Sequence, residues 1–464
     1  MKEKITSYTN LVLTKKTSII FILILTTIIV FDSTLVKFSS YSGVEFPTQL
    51  NIMIFIIFSS IFGITSATLI RSVRKVLSIG TYKSVGLPIE LRHFQSLIII
   101  TLTLTAAIIL LIILQMMFSN NYSIMLLRVQ TYLSHISPLV FLAFLVFLFV
   151  SRLFLKRNYI VMLYAISFSL ICASLVVSLV YLEYYHSRIG STDIKPYSIV
   201  SYVANVPSPP GRESLSQLFD ALSVSSFLLM WVATAILLAQ YQYRMGRIKY
   251  FFLMSITLIY YIFPFQNYFG DIFLPMLLSS PVIFSLIYIL IFSATKQAGA
   301  VLFSLSFWTA SSLVYEERVR KSLLISSIGM TILFGSVELT ALQYNVYPPY
   351  GLVTEAFIPL GAYLLFVGIF ISVKHVSVDA KLRKEFYKSA ASQLALLRTL
   401  GVSQMEKELE NRIKFLEERS GLSEATNDLH LEEEIKEEDV RKILRDVLNE
   451  LYYSKTDKKE TQKT

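Results

Sequence analysis

Long apolar runs, each about as long as a membrane-spanning helix, dominate the first four fifths of the chain. Ten runs are predicted as spans, at residues 17–36, 47–70, 94–118, 135–151, 159–182, 220–241, 250–265, 274–294, 322–343 and 352–373. A bilayer core needs about 20 apolar residues per helix. No water is present there to bond open backbone groups, so such runs are predicted to be helical. The pattern therefore predicts an all-α, polytopic transmembrane helix bundle of about ten spans over residues 1–373.

The stretch 298–315 is the ambiguous part of this pattern, because it is short and rich in Ser and Thr. If it does not cross, the predicted cytoplasmic flanks hold 24 Lys and Arg and the outer loops hold 5. If it crosses, the ratio falls to 16 against 13. Cytoplasmic loops are the ones enriched in Lys and Arg. We therefore predict a re-entrant or interfacial half-helix, with Lys296 in cytoplasmic water, Trp308 at headgroup level and both termini cytoplasmic.

After residue 373 the pattern changes to shorter amphipathic helices in a charged background. Apolar positions recur every three or four residues over about 378–400, and again over about 437–452. An apolar stripe in water must be covered. These helices are thus expected to pack on one another, on the membrane bundle, or on a protein partner or second copy. The sequence predicts a cytoplasmic helical tail at 374–453 and a disordered end at 454–464.

A junction between two tail helices is predicted near residue 401. Gly401 follows the apolar stripe of the first tail helix, as a glycine at the helix C-terminus often does. Ser403 and Glu406 have the spacing of a capping box, which predicts that a second helix begins there.

Composition and charge support the membrane class. Of the 464 residues, 54% are hydrophobic and 16% are charged, against about 25% charged in soluble proteins. Residues 1–373 hold 24 Lys and Arg against 13 Asp and Glu, whereas residues 374–464 hold 18 against 19. The basic excess thus lies beside the apolar runs, where it reports topology and anionic headgroups rather than nucleic acid. A lipid bilayer and a cell-membrane location are predicted.

Motifs for soluble chemistry are missing from the sequence. It contains no G-x-x-x-x-G-K-[ST], no strand-linked G-x-G-x-x-G and no H-E-x-x-H. The single cysteine, Cys172, excludes a disulfide framework, and the five histidines are scattered, most of them at predicted span ends. We predict no catalytic residue, no cofactor and no metal site, and a protein that is not an enzyme.

Three acidic residues within the predicted spans are the candidates for an intramembrane polar site: Asp32, Glu338 and Glu355. Charged groups are expensive in lipid, so they usually face a cavity or a partner. Glu338 and Glu355 flank a short turn and are expected to lie close together near the outer surface. Two interpretations stay open: a shared proton or cation site, or interfacial hydration with a helix-to-helix hydrogen bond.

Four segments between about residues 320 and 415 carry a resemblance: "LLISSIGMTILF", "YPPYGLVTEAF", "HVSVDAKLRKEF" and "LLRTLGVSQMEKELE". This part of the chain, about a fifth of the whole, resembles an uncharacterised family of multi-pass membrane proteins from archaea. The resemblance implies a multi-pass protein with a cytoplasmic helical tail, and it carries no activity.

These observations favour a non-enzymatic membrane sensor or scaffold, because a large bundle joins an amphipathic tail with no Gly or Pro at the junction. A secondary transporter or channel that uses intramembrane carboxylates is the alternative. An intramembrane enzyme is the weakest hypothesis, since no paired nucleophile and base is found.

Overall fold

The computed structural model describes residues 15–41, 47–78, 89–153, 158–189, 212–239, 242, 246–262, 279, 281–337, 347–378, 400, 401, 403 and 405. The bounded helices in this part of the chain are α1 Lys15–Tyr41, α2 Thr48–Ser78, α3 Ile89–Ser119, α4 Ile124–Leu153, α5 Tyr159–Ile189, α6 Arg212–Leu238, α7 Arg247–Ile262, α8 Pro281–Leu313, α9 Glu317–Ser336, α10 Leu352–Ala356 and α11 Ile358–Val378. The all-α class is confirmed for these residues.

Seven segments among the described residues are long and apolar enough to cross a membrane. They are Lys16–Leu35, Thr48–Leu77, Leu91–Ser119, Ile124–Leu153, Tyr159–Glu183, Gln217–Leu238 and Leu352–Ser377. Each overlaps a predicted span, which confirms a multi-pass membrane protein. The other three predicted spans fall on α7, which has only 16 residues, on α8, which carries Lys296, and on α9, which opens with a charged turn. The total of ten spans stays a prediction.

The break predicted between residues 294 and 298 is wrong, because α8 runs through it as one helix of 33 residues. The polar sequence around Lys296 and Gln297 suggested a break, but Lys, Gln and Ala are good helix formers. Residues 298–313 are therefore the second half of a long helix and not a separate half-helix. Lys296 is 3% exposed and lies within the bundle rather than in water, while Trp308 lies in the last turns of α8 and is half-buried.

The helices are arranged as a ring around a central pair. The ring runs in the order α1, α2, α3, α4, α5, α6 and α8, and each helix packs on the one after it in this order. It closes where α8 packs on α1. The central pair is α9 and α11, and α7 packs on α8. In α9, the residues from Ser322 to Ser336 are all buried, and all but Phe370, Lys374 and His375 are buried in the Leu352–Ser377 span. The core of the bundle is thus the contact between these two helices and the ring.

Small residues bring α9 and α11 into backbone contact. A Cβ added to Gly368 would lie 2.2 Å from Ser326 Oγ and 2.5 Å from the Ser322 carbonyl oxygen. A Cβ on Gly361 would lie 2.9 Å from the Leu333 backbone nitrogen. The seam ends in a hydrogen bond of 2.8 Å between the Ser322 and Ser372 hydroxyls. Because lipid is as apolar as a leucine side chain, close backbone packing of this kind drives helix association in membranes.

The tail returns to the bundle at residue 400. Leu400, Gly401, Ser403 and Met405 are all helical, and Leu400 belongs to the same buried cluster as Val376 of α11. A Cβ on Gly401 would lie 2.3 Å from Val376 Cγ1. The predicted helix end at Gly401 and helix start at Ser403 are therefore wrong. Glycine is needed here for close approach and not for a left-handed turn.

Gly368→Ala tests the seam. The new methyl group overlaps the α9 backbone, so we expect a loss of about 1–3 kcal/mol of stability, as for an overpacked core. Thermal unfolding of the purified chain in detergent measures it. Gly63→Ala is the matched control, because no atom lies within 4 Å of the added Cβ. Equal unfolding temperatures for the two variants would contradict a tight seam.

Cysteine labelling tests whether α8 carries the chain across the membrane. Ser279 precedes α8 and is exposed, and Tyr315 follows it and is 89% exposed. With Cys172→Ser as background, we expect Ser279→Cys and Tyr315→Cys to react with an impermeant maleimide from opposite sides of sealed vesicles. Reaction from the same side would mean that α8 does not cross.

Candidate functional site

The residues Tyr347–Phe357, here called the head segment, are all buried at the end of the bundle where α3 ends and α4 begins. The Tyr350 hydroxyl donates hydrogen bonds to the Asn51 carbonyl oxygen at 3.1 Å and to its Oδ1 at 3.0 Å. The Tyr347 ring stacks on Tyr122 at 6.0 Å. Burial, together with the nearby Asp32 carboxylate, raises the pKa of Tyr350, so its phenol remains a donor. These contacts fix the head segment against α2 and the α3–α4 connection.

Asp32 of α1 caps α10 from another helix. The N-cap of α10 is Gly351, whose φ of 88° is left-handed and which has no side chain to offer. Asp32 Oδ1 accepts the Gly351 N–H at 2.9 Å, and Oδ2 accepts the Thr354 N–H at 3.0 Å and the Thr354 hydroxyl at 2.7 Å. The side chain is fully buried. Three donors from the head segment thus compensate this carboxylate.

Glu355 and His135 form a buried pair between α10 and α4. Glu355 Oε1 lies 3.3 Å from His135 Nδ1, and the two side chains are 3% and 0% exposed. His135 Nδ1 also lies 2.8 Å from the Thr131 carbonyl oxygen. Because a carbonyl only accepts, we assign the ring hydrogen to Nδ1, which leaves Nε2 as an acceptor when the ring is neutral. Within the described part of the chain, neither Nε2 nor Oε1 has a hydrogen-bond partner.

The face of α4 beside this pair is polar and fully buried. Gln130, Thr131 and Ser134 are all 0% exposed, and Gln130 Nε2 donates to Ser134 Oγ at 2.9 Å. Pro138 follows within the same helix and has no N–H to donate to the preceding turn. Buried polar groups normally have partners, and unpaired ones call for an explanation. The arrangement can hold and exchange protons or hydrogen-bond a small polar group.

The structure brings two of the predicted site residues to α10: Asp32, which caps it, and Glu355, which belongs to it. Glu338 lies outside the described residues, so its predicted proximity to Glu355 stays a prediction. Lys296 and Trp308 lie on α8, which packs on α1 and α9. Next to Lys296, Gln297 donates its amide to the Gly335 carbonyl oxygen at 2.8 Å. The candidate site is therefore built from α1, α4 and α10.

His135 is the site residue that sequence reasoning missed. It stood at the start of the predicted span 135–151, where a polar ring is unremarkable. The helix begins at Ile124, which places His135 three turns inside it. The repeat of Gln130 with Ser134 and of Thr131 with His135, each four residues apart, is the signal that indicates a buried polar face.

Comparison with known proteins gives no match to a family model, to a curated protein or to a solved structure. Among the residues searched, no group of three or more His, Cys, Asp or Glu could hold a metal ion. The helices define a multi-pass membrane protein. The head segment and the contact between the tail and α11 are the features that bear on a more specific function.

Thr354 offers a clean test of the Asp32 cap. Thr354→Val removes only the hydroxyl that bonds Asp32 Oδ2, so we expect a loss of about 1–3 kcal/mol from an incompletely satisfied buried carboxylate. Thr354→Ser keeps the hydroxyl and is the control. Thermal unfolding in detergent compares them, and a valine variant as stable as the serine variant would contradict the cap.

Proposed function

We propose that the chain is a non-enzymatic membrane sensor or scaffold in which α11 joins the head segment to the cytoplasmic tail. The contact between Gly401 and Val376 is the observation that carries this proposal. It fastens the tail to the same helix that follows the head segment. A change at one end of α11 thus has a continuous path to the other.

The mechanical argument rests on how the two ends of α11 are held. At one end the head segment is bonded to α1 and α2 and contacts α4. At the other end Val376, Leu400 and Ser403 are all 0% exposed. Packed interfaces shift between discrete arrangements rather than deforming gradually. A displacement of α11 would therefore dock the tail against the bundle or release it.

The charge distribution supports a cytoplasmic position for both termini. Excluding the buried Lys296 changes the predicted cytoplasmic count from 24 to 23 Lys and Arg, against 5 outside. If α8 crosses the membrane once, it takes the place of the predicted span 274–294. The number of crossings before the tail is then unchanged. The tail would then present its apolar faces to the bundle, a protein partner or a second copy. Membership in the archaeal family that the sequence resembles remains part of this proposal.

Alkylation of a buried tail position tests the coupling. Ser403 is 0% exposed, so Ser403→Cys, in a Cys172→Ser background, reports release of the tail through its reaction with a soluble maleimide. We expect Thr354→Val in the head segment to raise the alkylation rate several-fold, because it loosens the far end of α11. Gly63→Ala is the control for a general effect of substitution. A rate that no head-segment variant changes would remove the support for a sensor.

A secondary transporter or channel is the second candidate, and one observation favours it. The last span is divided at Phe357 into α10 and α11, with Pro359 just after the division, and Glu355 is buried on the short half. Broken helices with polar groups at the break are common in transporter binding sites. Proton or solute flux in reconstituted vesicles, lost in Glu355→Gln, would support transport. No flux in the wild-type chain, or equal flux in both, would count against it.

A further inference from the structure

We propose that Glu355 and His135 form a proton-binding site and that the proton is the ligand to which the protein responds. The exchange is simple in chemical terms. A proton from water forms an O–H bond on the Glu355 carboxylate, and its loss to water restores the anion. The second part of this inference, the response, rests on the proposed sensor function. The first part, the site, does not.

Burial and unequal compensation identify the acceptor. Asp32 and Glu355 are both buried carboxylates at α10, but Asp32 accepts three hydrogen bonds from Gly351 and Thr354. Glu355 has two polar neighbours, and both already donate elsewhere: His135 Nδ1–H to the Thr131 carbonyl oxygen at 2.8 Å, and the Thr131 hydroxyl to the Leu127 carbonyl oxygen at 3.1 Å. Leaving a buried anion so poorly compensated is costly. Taking up a proton removes that charge, so Glu355 and not Asp32 is the group expected to exchange.

His135 acts as a positioning residue for this exchange. Its Nδ1–H bonds to the Thr131 carbonyl oxygen, and Nδ1 lies 3.3 Å from Glu355 Oε1, so the partial positive charge of this N–H stabilises the ionised carboxylate relative to the acid. When Glu355 is protonated that attraction weakens, and α10 is held less firmly to α4. The consequence is a head segment whose attachment to the ring depends on one proton.

The other ionisable groups on the elements packed against α10 are placed differently. Among the residues whose side chains the structure describes, they are Lys16 on α1, Arg71, Arg74 and Lys75 on α2, Arg128, Tyr132 and Arg152 on α4, and Tyr363, Lys374 and His375 on α11. Arg128 and the Tyr132 hydroxyl are directed to Glu183 on an exposed face. The basic residues of α2 lie at its far end, about five turns from Asn51. Among the described residues, His135 is the basic group that contacts Glu355.

Infrared difference spectroscopy tests the site directly. The full chain in lipid vesicles is titrated with acid and base, and the carboxylic acid C=O band is followed. The chain has 32 Asp and Glu, so other carboxylates also contribute on acidification. We expect one component of the band that titrates in the wild type and is absent in Glu355→Gln, and we call it the Glu355 band. Glu183→Gln is the control, since that carboxylate lies on an exposed face beside Arg128, and it should leave the Glu355 band in place.

The role of His135 has its own measurement in the same experiment. His135→Phe removes the N–H donor and should move the midpoint of the band to higher pH by about one unit, a tenfold change in proton affinity. His135→Gln keeps an N–H donor and should move it less, which a purely structural role would not predict. Equal midpoints in all three chains would overturn the role of His135. A wild-type spectrum without a titrating Glu355 band, over the range in which the chain stays folded, would overturn the site.

A parallel readout separates this inference from the proposed function. Alkylation of Ser403→Cys is followed over the same titration, with and without Glu355→Gln, and each rate is divided by that of the exposed Tyr315→Cys to remove the pH dependence of thiolate formation. A titrating band together with a pH-dependent rate that Glu355→Gln abolishes supports both. A titrating band with a constant rate leaves the site standing and refutes the proton as stimulus. A rate that responds to Thr354→Val but not to pH, with no band, keeps the sensor and refutes the proton site.

Discussion

The close approach of α9 and α11 sets the position of every other element in the bundle. Gly361 and Gly368 allow backbone contact with α9, and the Ser322–Ser372 hydrogen bond closes the seam at one end. Seven helices then surround this pair. Because the seam fixes the depth of α11, it also fixes where α10 lies. The head segment can meet α1, α2 and α4 at once only because the central pair is set in this way.

At the head segment, two carboxylates from different helices meet at α10, and they have different chemistry because their surroundings differ. Asp32 reaches in from α1 and receives three hydrogen bonds, so it serves as a structural cap. Glu355 projects toward α4 and meets His135, one partner that is itself titratable. Their residue types and burial are nearly alike. The number of available donors decides that one holds the fold together and the other is free to change state.

The sequence was a good guide to whatever depends on local pattern and a poor guide to whatever depends on packing. Apolar length located the seven helices that are long and apolar enough to cross a membrane, and the rarity of acids in lipid selected Asp32 and Glu355. Polarity at Lys296 suggested a break, but no residue there opposes a helix. Gly401 fitted a helix end equally well, because a glycine needed for a turn and one needed for contact look the same in a sequence. His135 was missed because the span was started too late, at a point where α4 had already made three turns.

The cap on α10 also has a consequence for biosynthesis. Asp32 and its first donor are 319 residues apart in the chain. At about 5–20 residues per second, the ribosome needs on the order of 15–60 s to make the intervening chain. During that time α1 is in the membrane with an acid whose partners do not yet exist. A chain that stops before the last span never acquires these donors, so the acid on its first helix stays without the three hydrogen bonds that compensate it in the complete fold.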